Sequence, residues 1–322
     1  MPRVLLTTTS YQDTPGEHHR LLESSGFEVV RARGPLNEQQ MLELIASEGP
    51  FDATLNGDDA FTPAVIDALL PQIRCIAKYG IGLDSIDVNY ATSKKLPVLF
   101  TPGVNHTTVA EHAFGLMIAV AKHFVPHLRA AKAGQWKRTT GNELAGKTLG
   151  VLGMGRIGKE VIKRAAAFDM KTIAFDLYWD GAFAWKYKVQ RGQSVEEVTQ
   201  AADVLSLHMN LDDTNRHFLN AQQIAAMRDN AIIINTARGG LVDENAIADA
   251  CRSGKLGGYG TDVLEHEPMQ TPHPFQDVDN IVVTPHVASR TFESVERQAV
   301  RATKNVVNFL KGESDFIQAN KF

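Results

Sequence analysis

Three polar residues each close an apolar run, and their types are those needed to move a hydride onto or off the C2 carbon of a small 2-oxo or 2-hydroxy acid. Arg238 ends Ile232-Ile233-Ile234-Asn235-Thr236-Ala237, Glu267 follows Gly260-Thr261-Asp262-Val263, and His286 follows Ile281-Val282-Val283-Thr284-Pro285. An arginine suits a substrate carboxylate because its planar fork bonds both oxygens. A histidine can deliver the proton to the carbonyl oxygen, and a neighbouring carboxylate stabilises its imidazolium form. Taken singly, such an Arg or Glu is more often a surface ion-pair partner and such a His more often structural; together with a dinucleotide site on the same sheet they read as a reaction centre.

That dinucleotide site is Gly153-Met154-Gly155-Arg156-Ile157-Gly158, which follows the apolar run Thr148-Leu149-Gly150-Val151-Leu152 and opens a segment of helical character from Ile157 to Phe168. A glycine turn alone is weak evidence, but its place between strand and helix strengthens it. Gly153 permits the tight turn, Gly155 lets the backbone approach a pyrophosphate, and Gly158 lets helix and strand pack closely. The helix N-terminus then offers free N–H groups to the phosphates. Asp176 stands eighteen residues beyond Gly158, at the end of Thr172-Ile173-Ala174-Phe175. A carboxylate there grips a ribose 2′-hydroxyl and repels a 2′-phosphate, and Leu177-Tyr178-Trp179 supply no cation, so NAD is expected over NADP. Tyr178, Trp179, Phe183, Trp185 and Tyr187 serve either as an adenine cover or as ordinary packing.

The elements that must carry these residues alternate between short Val/Ile/Leu runs and longer helical segments, the pattern of α/β proteins with parallel sheets. Expected strands lie at Val4–Thr7, Val29–Val30, Ala53–Leu55, Cys75–Lys78 and Val98–Phe100. A second series follows at Leu149–Leu152, Thr172–Phe175, Val204–Leu207, Ile232–Ile234, Gly258–Val263 and Ile281–Val283. Six strands in that second series make a complete doubly wound dinucleotide domain. Between the two series, Thr107–Ala133 reads as a connecting helix kinked near Pro126, and Thr291–Leu310 reads as an amphipathic helix returning to the first domain.

At 322 residues, 43% hydrophobic and 22% charged, the chain has the composition of a two-domain globular protein. A formal charge of -4 gives no global attraction for a polyanion, so no nucleic-acid partner is expected. The N-terminal apolar run is too short for a signal peptide and no run of about 20 apolar residues follows, so neither a membrane nor an exported location is expected. Two cysteines, Cys75 and Cys251, without paired-motif spacing, suit a reducing cytoplasm. No metal site is expected.

Over nearly its whole length the sequence resembles the D-specific 2-hydroxyacid dehydrogenase family. The motifs are Lys78-Tyr79-Gly80-Ile81-Gly82-Leu83-Asp84, Thr101-Pro102-Gly103, Val109-Ala110-Glu111-His112, the glycine turn with Asp176, Asn235-Thr236-Ala237-Arg238-Gly239, Asp262-Val263 through Glu267-Pro268, and Thr284-Pro285-His286-Val287-Ala288-Ser289. The resemblance implies a Rossmann NAD-binding domain (residues 105–290) inserted in a flavodoxin-like substrate domain (1–104 and 291–322), both doubly wound parallel sheets. It implies that Arg238 binds the substrate carboxylate, His286 is the acid/base and Glu267 tunes it. Cofactor contacts fall to Val109, Gly153, Gly155, Arg156, Ile157, Gly158, Asp176, Thr236, Ala237 and Asp262, the last holding the nicotinamide amide. Substrate contacts fall to Lys78, Tyr79, Gly80, Ile81 and Gly82, through backbone N–H groups of residues 79–82, and a homodimer is implied.

Within the family, Thr101-Pro102-Gly103-Val104-Asn105 is most similar to the phosphoglycerate dehydrogenase branch. Yet Asn56, Asp58 and Asp59 stand where that branch tends to carry arginines, with Lys78 the one nearby cation. Carboxylates there repel a phosphate, so an uncharged or short polar group at C3 is expected, as in a glyoxylate or hydroxypyruvate reductase. The alternatives are an NAD(H)-sensing co-repressor of the same fold, which needs peptide-binding extensions, and a formate or phosphite dehydrogenase relative. Formate enzymes pair the histidine with glutamine, whereas this chain has Glu267.

Overall fold

Runs of Val, Ile and Leu form strands buried on both faces, as parallel sheets covered by helices require. The computed structural model describes residues 1–322 and divides into two units, Met1–Asn105 with Arg290–Phe322, and His106–Ser289.

The first unit holds β1 (Arg3–Leu6), β2 (Glu28–Arg31), β3 (Ala53–Asn56), β4 (Cys75–Lys78) and β5 (Val98–Leu99). They pair in parallel in the order β2-β1-β3-β4-β5, the flavodoxin-like winding. Alternation along β1 sends Leu5 to a core with Phe51, Phe61 and Ile76, and Val4 and Leu6 to another with Leu55, Ala77 and Leu99. The helix Phe292–Lys311 covers the latter face through Ala299, Ala302 and Val306. Thr291 Oγ1 caps its start by accepting the Ser294 N–H at 3.3 Å, and Gly312 ends it at φ +77°. Burial of Val306 alone contributes roughly 1.5–3 kcal/mol.

The second unit holds β6 (Thr148–Leu152), β7 (Lys171–Phe175), β8 (Gln190–Arg191), β9 (Val204–Leu207), β10 (Ala231–Asn235), β11 (Leu256–Thr261) and β12 (Ile281–Val283). All pairings are parallel, in the order β12-β11-β10-β9-β6-β7-β8. The winding reverses between β9 and β6, and the carboxyl ends of strands at such a reversal line a ligand crevice. The sheet has seven strands where six were expected. The addition, β8, is a two-residue exposed edge strand without the apolar run that marks the others.

The connecting segment is two helices, His106–Ala121 and Phe124–Lys132, rather than one helix kinked at Pro126. The break falls at His123, whose φ is +51°, and Pro126 sits in the first turn of the second helix, where its missing N–H goes unneeded. The first of these helices packs directly on the sheet. A Cβ at Gly258 would come within 2.5 Å of Val120 Cγ1, so glycine there allows the helix to lie close to β11.

Candidate active site

The glycine turn after β6 has the shape that a dinucleotide phosphate requires. Gly153 has φ +95°, and a Cβ on it would meet the His208 carbonyl oxygen at 2.5 Å. At Gly158 a Cβ would run into the Gly153 carbonyl oxygen, while at Gly155 it would meet nothing within 4 Å. The helix Arg156–Ala167 therefore starts beside open space, with no side-chain cap on its first turn and no acidic residue in it. Its N–H groups and partial positive charge suit a pyrophosphate.

At the end of β7, Asp176 reaches back to this turn. Its Oδ2 accepts the Met154 N–H at 2.5 Å and its Oδ1 accepts the Tyr178 N–H at 2.7 Å. Among the nearby aromatics, Trp179, Phe183 and Tyr187 pack against the core, whereas Tyr178 and Trp185 stand almost fully exposed. Lys159 beside them is paired to Asp180 at 2.6 Å. Thr236, past the end of β10, buries a hydroxyl with no hydrogen-bond partner, a polar group left over for a ligand. Ile157 is partly buried against the core, Arg156 is exposed, and Val109 is buried on the helix His106–Ala121. These residues fit an NAD molecule.

Arg238, Glu267 and His286 leave the same carboxyl edge from three neighbouring strands, β10, β11 and β12. Backbone bonds align the strand ends: Asp262 N–H donates to Asn235 O at 3.0 Å, and Thr284 N–H to Thr261 O at 2.9 Å. The buried Asn235 side chain then shapes the Arg238 turn, donating to Arg238 O at 2.9 Å and accepting the Ala237 N–H at 3.0 Å. Arg238 itself is partly buried, with Nη1 donating to Ala237 O at 2.6 Å. A Cβ on Gly239 would overlap the backbone of Leu264 and Glu265, so this turn lies directly against the one carrying Glu267.

Glu267 and His286 are joined, Nδ1 to Oε2, at 2.7 Å. The carboxylate is oriented by the Leu264 N–H, which donates to Oε1 at 2.9 Å. The contact at Nδ1 fixes the orientation of the imidazole ring. His286 has φ +52°, a left-handed conformation costing roughly 1–2 kcal/mol for a residue with a Cβ. Such strain persists only where the surroundings over-determine it. Here the surroundings are Asp262, 1% exposed: its backbone oxygen accepts the His286 N–H at 2.9 Å, Oδ1 accepts Val287 N–H at 2.9 Å, and Oδ2 accepts Ala288 N–H at 2.7 Å. The Thr284 hydroxyl also donates to Asp262 Oδ1, at 2.6 Å. Asp262 was expected to reach a nicotinamide amide; in this structure its buried carboxylate is engaged by the loop beneath His286.

In the loop 78–82 of the first unit, several of the groups expected to meet substrate have partners within the unit. Lys78 is not an open cation: its side chain is 3% exposed and Nζ donates to Gly57 O at 2.6 Å and to Asp58 Oδ1 at 2.5 Å. Nor are the first two amides of the loop available, because Tyr79 N–H donates to Asn56 O at 2.8 Å and Gly80 N–H to Thr101 Oγ1 at 3.0 Å. The Tyr79 ring packs in the core, where burial pushes its phenol up to about 12. Asp59 is wholly buried, accepting from Thr7 Oγ1 at 2.5 Å and Leu36 N–H at 2.8 Å, so of the two carboxylates only Asp58 faces solvent.

Comparison with known proteins agrees with this geometry. Residues 114–288 match the model of the D-isomer specific 2-hydroxyacid dehydrogenase NAD-binding domain. A D-3-phosphoglycerate dehydrogenase of Methanocaldococcus jannaschii is 36% identical over 315 residues, 97% of this chain, and the chain spans only 58% of that relative. A glyoxylate reductase of Thermofilum pendens is 36% identical over 297 residues, covering 89% of this chain and 86% of its own. The crystal structure of the TT0316 protein from Thermus thermophilus superposes with a TM-score of 0.89 at 34% identity, over 99% of this chain and all of its own. Family model, relatives and superposed fold converge on one assignment: this chain belongs to the D-isomer specific 2-hydroxyacid dehydrogenases, with an NAD-binding domain in its second unit.

Proposed function

We propose that this protein interconverts a small, uncharged D-2-hydroxy acid and its 2-oxo acid, with His286 as acid/base, Glu267 as its partner and Arg238 as the substrate clamp. The observation that carries the reading is the 2.7 Å contact of His286 with Glu267, on the strand edge that also carries the Arg238 turn, with β11 between them. NAD, when bound, supplies the hydride acceptor or, reduced, the donor. The Arg238 guanidinium holds the carboxylate of the 2-oxo acid and draws charge from its carbonyl. His286 passes its Nε2 proton to the carbonyl oxygen as C2 gains the hydride, and Glu267 stabilises the imidazolium that waits to do so.

The first unit is the substrate domain in this reading. With the Tyr79 and Gly80 amides already committed, the substrate contact in that loop falls to Ile81 and Gly82. Asp58, exposed over Lys78, disfavours a phosphate, so glyoxylate and hydroxypyruvate are the preferred candidates over 3-phosphohydroxypyruvate. Asp176 favours NAD over NADP.

A homodimer fits the helix Phe124–Lys132, which buries no residue of its own and leaves Phe124 and Leu128 exposed, with the exposed Trp136 just beyond its end. Cys75 and Cys251, both buried and free, accord with the cytoplasm. No helix is long and apolar enough to cross a membrane.

The test is a panel of glyoxylate, hydroxypyruvate, pyruvate, branched 2-oxo acids and 3-phosphohydroxypyruvate, each with NADH and NADPH. Turnover of the short, unphosphorylated acids with NADH supports the reading, and absence of turnover across the panel contradicts it.

A further inference from the structure

The histidine of the Val109-Ala110-Glu111-His112 motif has no part in the chemistry described so far, yet its side chain reaches the loop that carries His286. His112 lies on the helix His106–Ala121, with its side chain 24% exposed. Its Nε2 is 2.8 Å from Thr284 Oγ1 and 3.5 Å from Asp262 Oδ1. The Thr284 hydroxyl has one proton, and the Asp262 carboxylate, which can only accept, lies 2.6 Å away; the Thr261 carbonyl is a longer alternative at 3.4 Å. With that proton given to Asp262, Nε2 must carry the hydrogen and donate to the Thr284 oxygen.

A directed chain results, from His112 to Thr284 to Asp262. Its two loop anchors flank the strained residue: Thr284 lies before His286, and Val287 and Ala288, held by Asp262, lie after it. Asp262 ties the loop to β11 only. His112 ties it to a second element, the helix that packs against β11, so His286 is fixed from two directions.

We propose that His112 is a positioning residue for the acid/base His286, acting through the Thr284 hydroxyl; the proposal rests on the assignment of His286 above. Removing the N–H of His112 removes the tie between this helix and the loop that carries His286, and a displacement of a fraction of an ångström is enough to slow proton transfer.

The experiment compares His112→Ala, His112→Gln, Thr284→Val and the double variant His112→Ala/Thr284→Val in the full chain. It reads kcat, KM, NADH affinity by fluorescence titration, and thermal midpoint. His112→Ala should lower kcat about tenfold with KM for the oxo acid and NADH affinity within about twofold of wild type. His112→Gln, whose amide places an N–H near the old Nε2, should recover most of the loss. The double variant should be no slower than Thr284→Val alone. Unchanged kcat in His112→Ala, additive losses in the double variant, or no recovery with glutamine would overturn the proposal. Should the alanine variant not fold, His112→Leu takes its place under the same criteria. His286→Ala separates the two levels: if that variant turns over normally the acid/base assignment itself fails, whereas loss there with normal His112 variants removes only the positioning role.

Discussion

Asp262 and His286 are bound through the chain and through space: the Asp262 carbonyl oxygen takes the His286 amide at 2.9 Å while its carboxylate takes the next two amides, of Val287 and Ala288. A single buried side chain thereby holds His286 in a left-handed conformation at a strand end, where the unaided backbone would choose another shape. Replacing it with asparagine puts an NH2 group where only acceptors fit. Asp262→Asn should lower kcat by at least about tenfold, by displacing His286. It should also lower the thermal midpoint by about 5 °C, the scale set by losing charge-assisted hydrogen bonds of about 1.5–3 kcal/mol. Steady-state kinetics and a melting curve on one preparation measure both.

In the proposed mechanism the Glu267 carboxylate acts on the proton of His286 rather than on substrate. A carboxylate at 2.7 Å favours the imidazolium, so its removal lets the proton leave at lower pH. In the direction of oxo-acid reduction, which needs the proton in place, Glu267→Gln should move the alkaline fall of kcat toward acid. A pH–rate profile of wild type and variant checks this; coincident alkaline limbs would separate Glu267 from the proton.

In the proposed mechanism Asp58 bears on substrate choice. Its exposed carboxylate covers the buried Lys78 ammonium, leaving no open positive charge at that strand end for a phosphate. Asp58→Asn should raise kcat/KM for 3-phosphohydroxypyruvate relative to hydroxypyruvate about tenfold, because a repulsive unit charge is gone. An unchanged ratio would place Asp58 away from the C3 group.

Burial affects stability through His208, which follows β9 and lies against the glycine turn. Desolvation lowers its pKa from 6.5 to about 3, so the folded protein keeps this ring neutral. Between those two values the unfolded chain binds a proton that the folded chain does not, and stability rises with pH. The full contribution is therefore present above about 6.5 and is lost progressively as pH falls toward 3, on the order of 2 kcal/mol by pH 5. His208→Gln should flatten the decline of the thermal midpoint between pH 7 and about 5, and parallel declines in wild type and variant would show that another group governs it.

Much of the fold was legible because its signals are local. Apolar runs such as Ile232-Ile233-Ile234 mark central parallel strands, and Gly153 with Gly158 marks the turn after one of them. The two-residue strand Gln190–Arg191 carried no such run, being exposed at the sheet edge. The helix break at His123 carries no local sequence signal, whereas Pro126, the more conspicuous residue, is harmless in a first turn. At the site, residue types suggested the Glu267–His286 pairing. The second layer was not legible: the donors to Asp262 are mostly backbone amides some twenty-five positions away, and nothing in their side chains announces them. Likewise nothing in the local sequence marks that the Tyr79 and Gly80 amides are taken by the Asn56 carbonyl and the Thr101 hydroxyl, which are distant along the chain.

The central claim is that Arg238 meets the substrate carboxylate beside an acid/base His286 while NAD is held elsewhere, by the glycine turn and Asp176. The most direct measurement is paired: NADH affinity by fluorescence titration and kcat/KM for glyoxylate and hydroxypyruvate, in wild type and Arg238→Ala. The account predicts a fall in kcat/KM of roughly a thousandfold or more with NADH affinity within about threefold of wild type. Undiminished kcat/KM in a folded Arg238→Ala protein, or a loss confined to NADH binding, would contradict it.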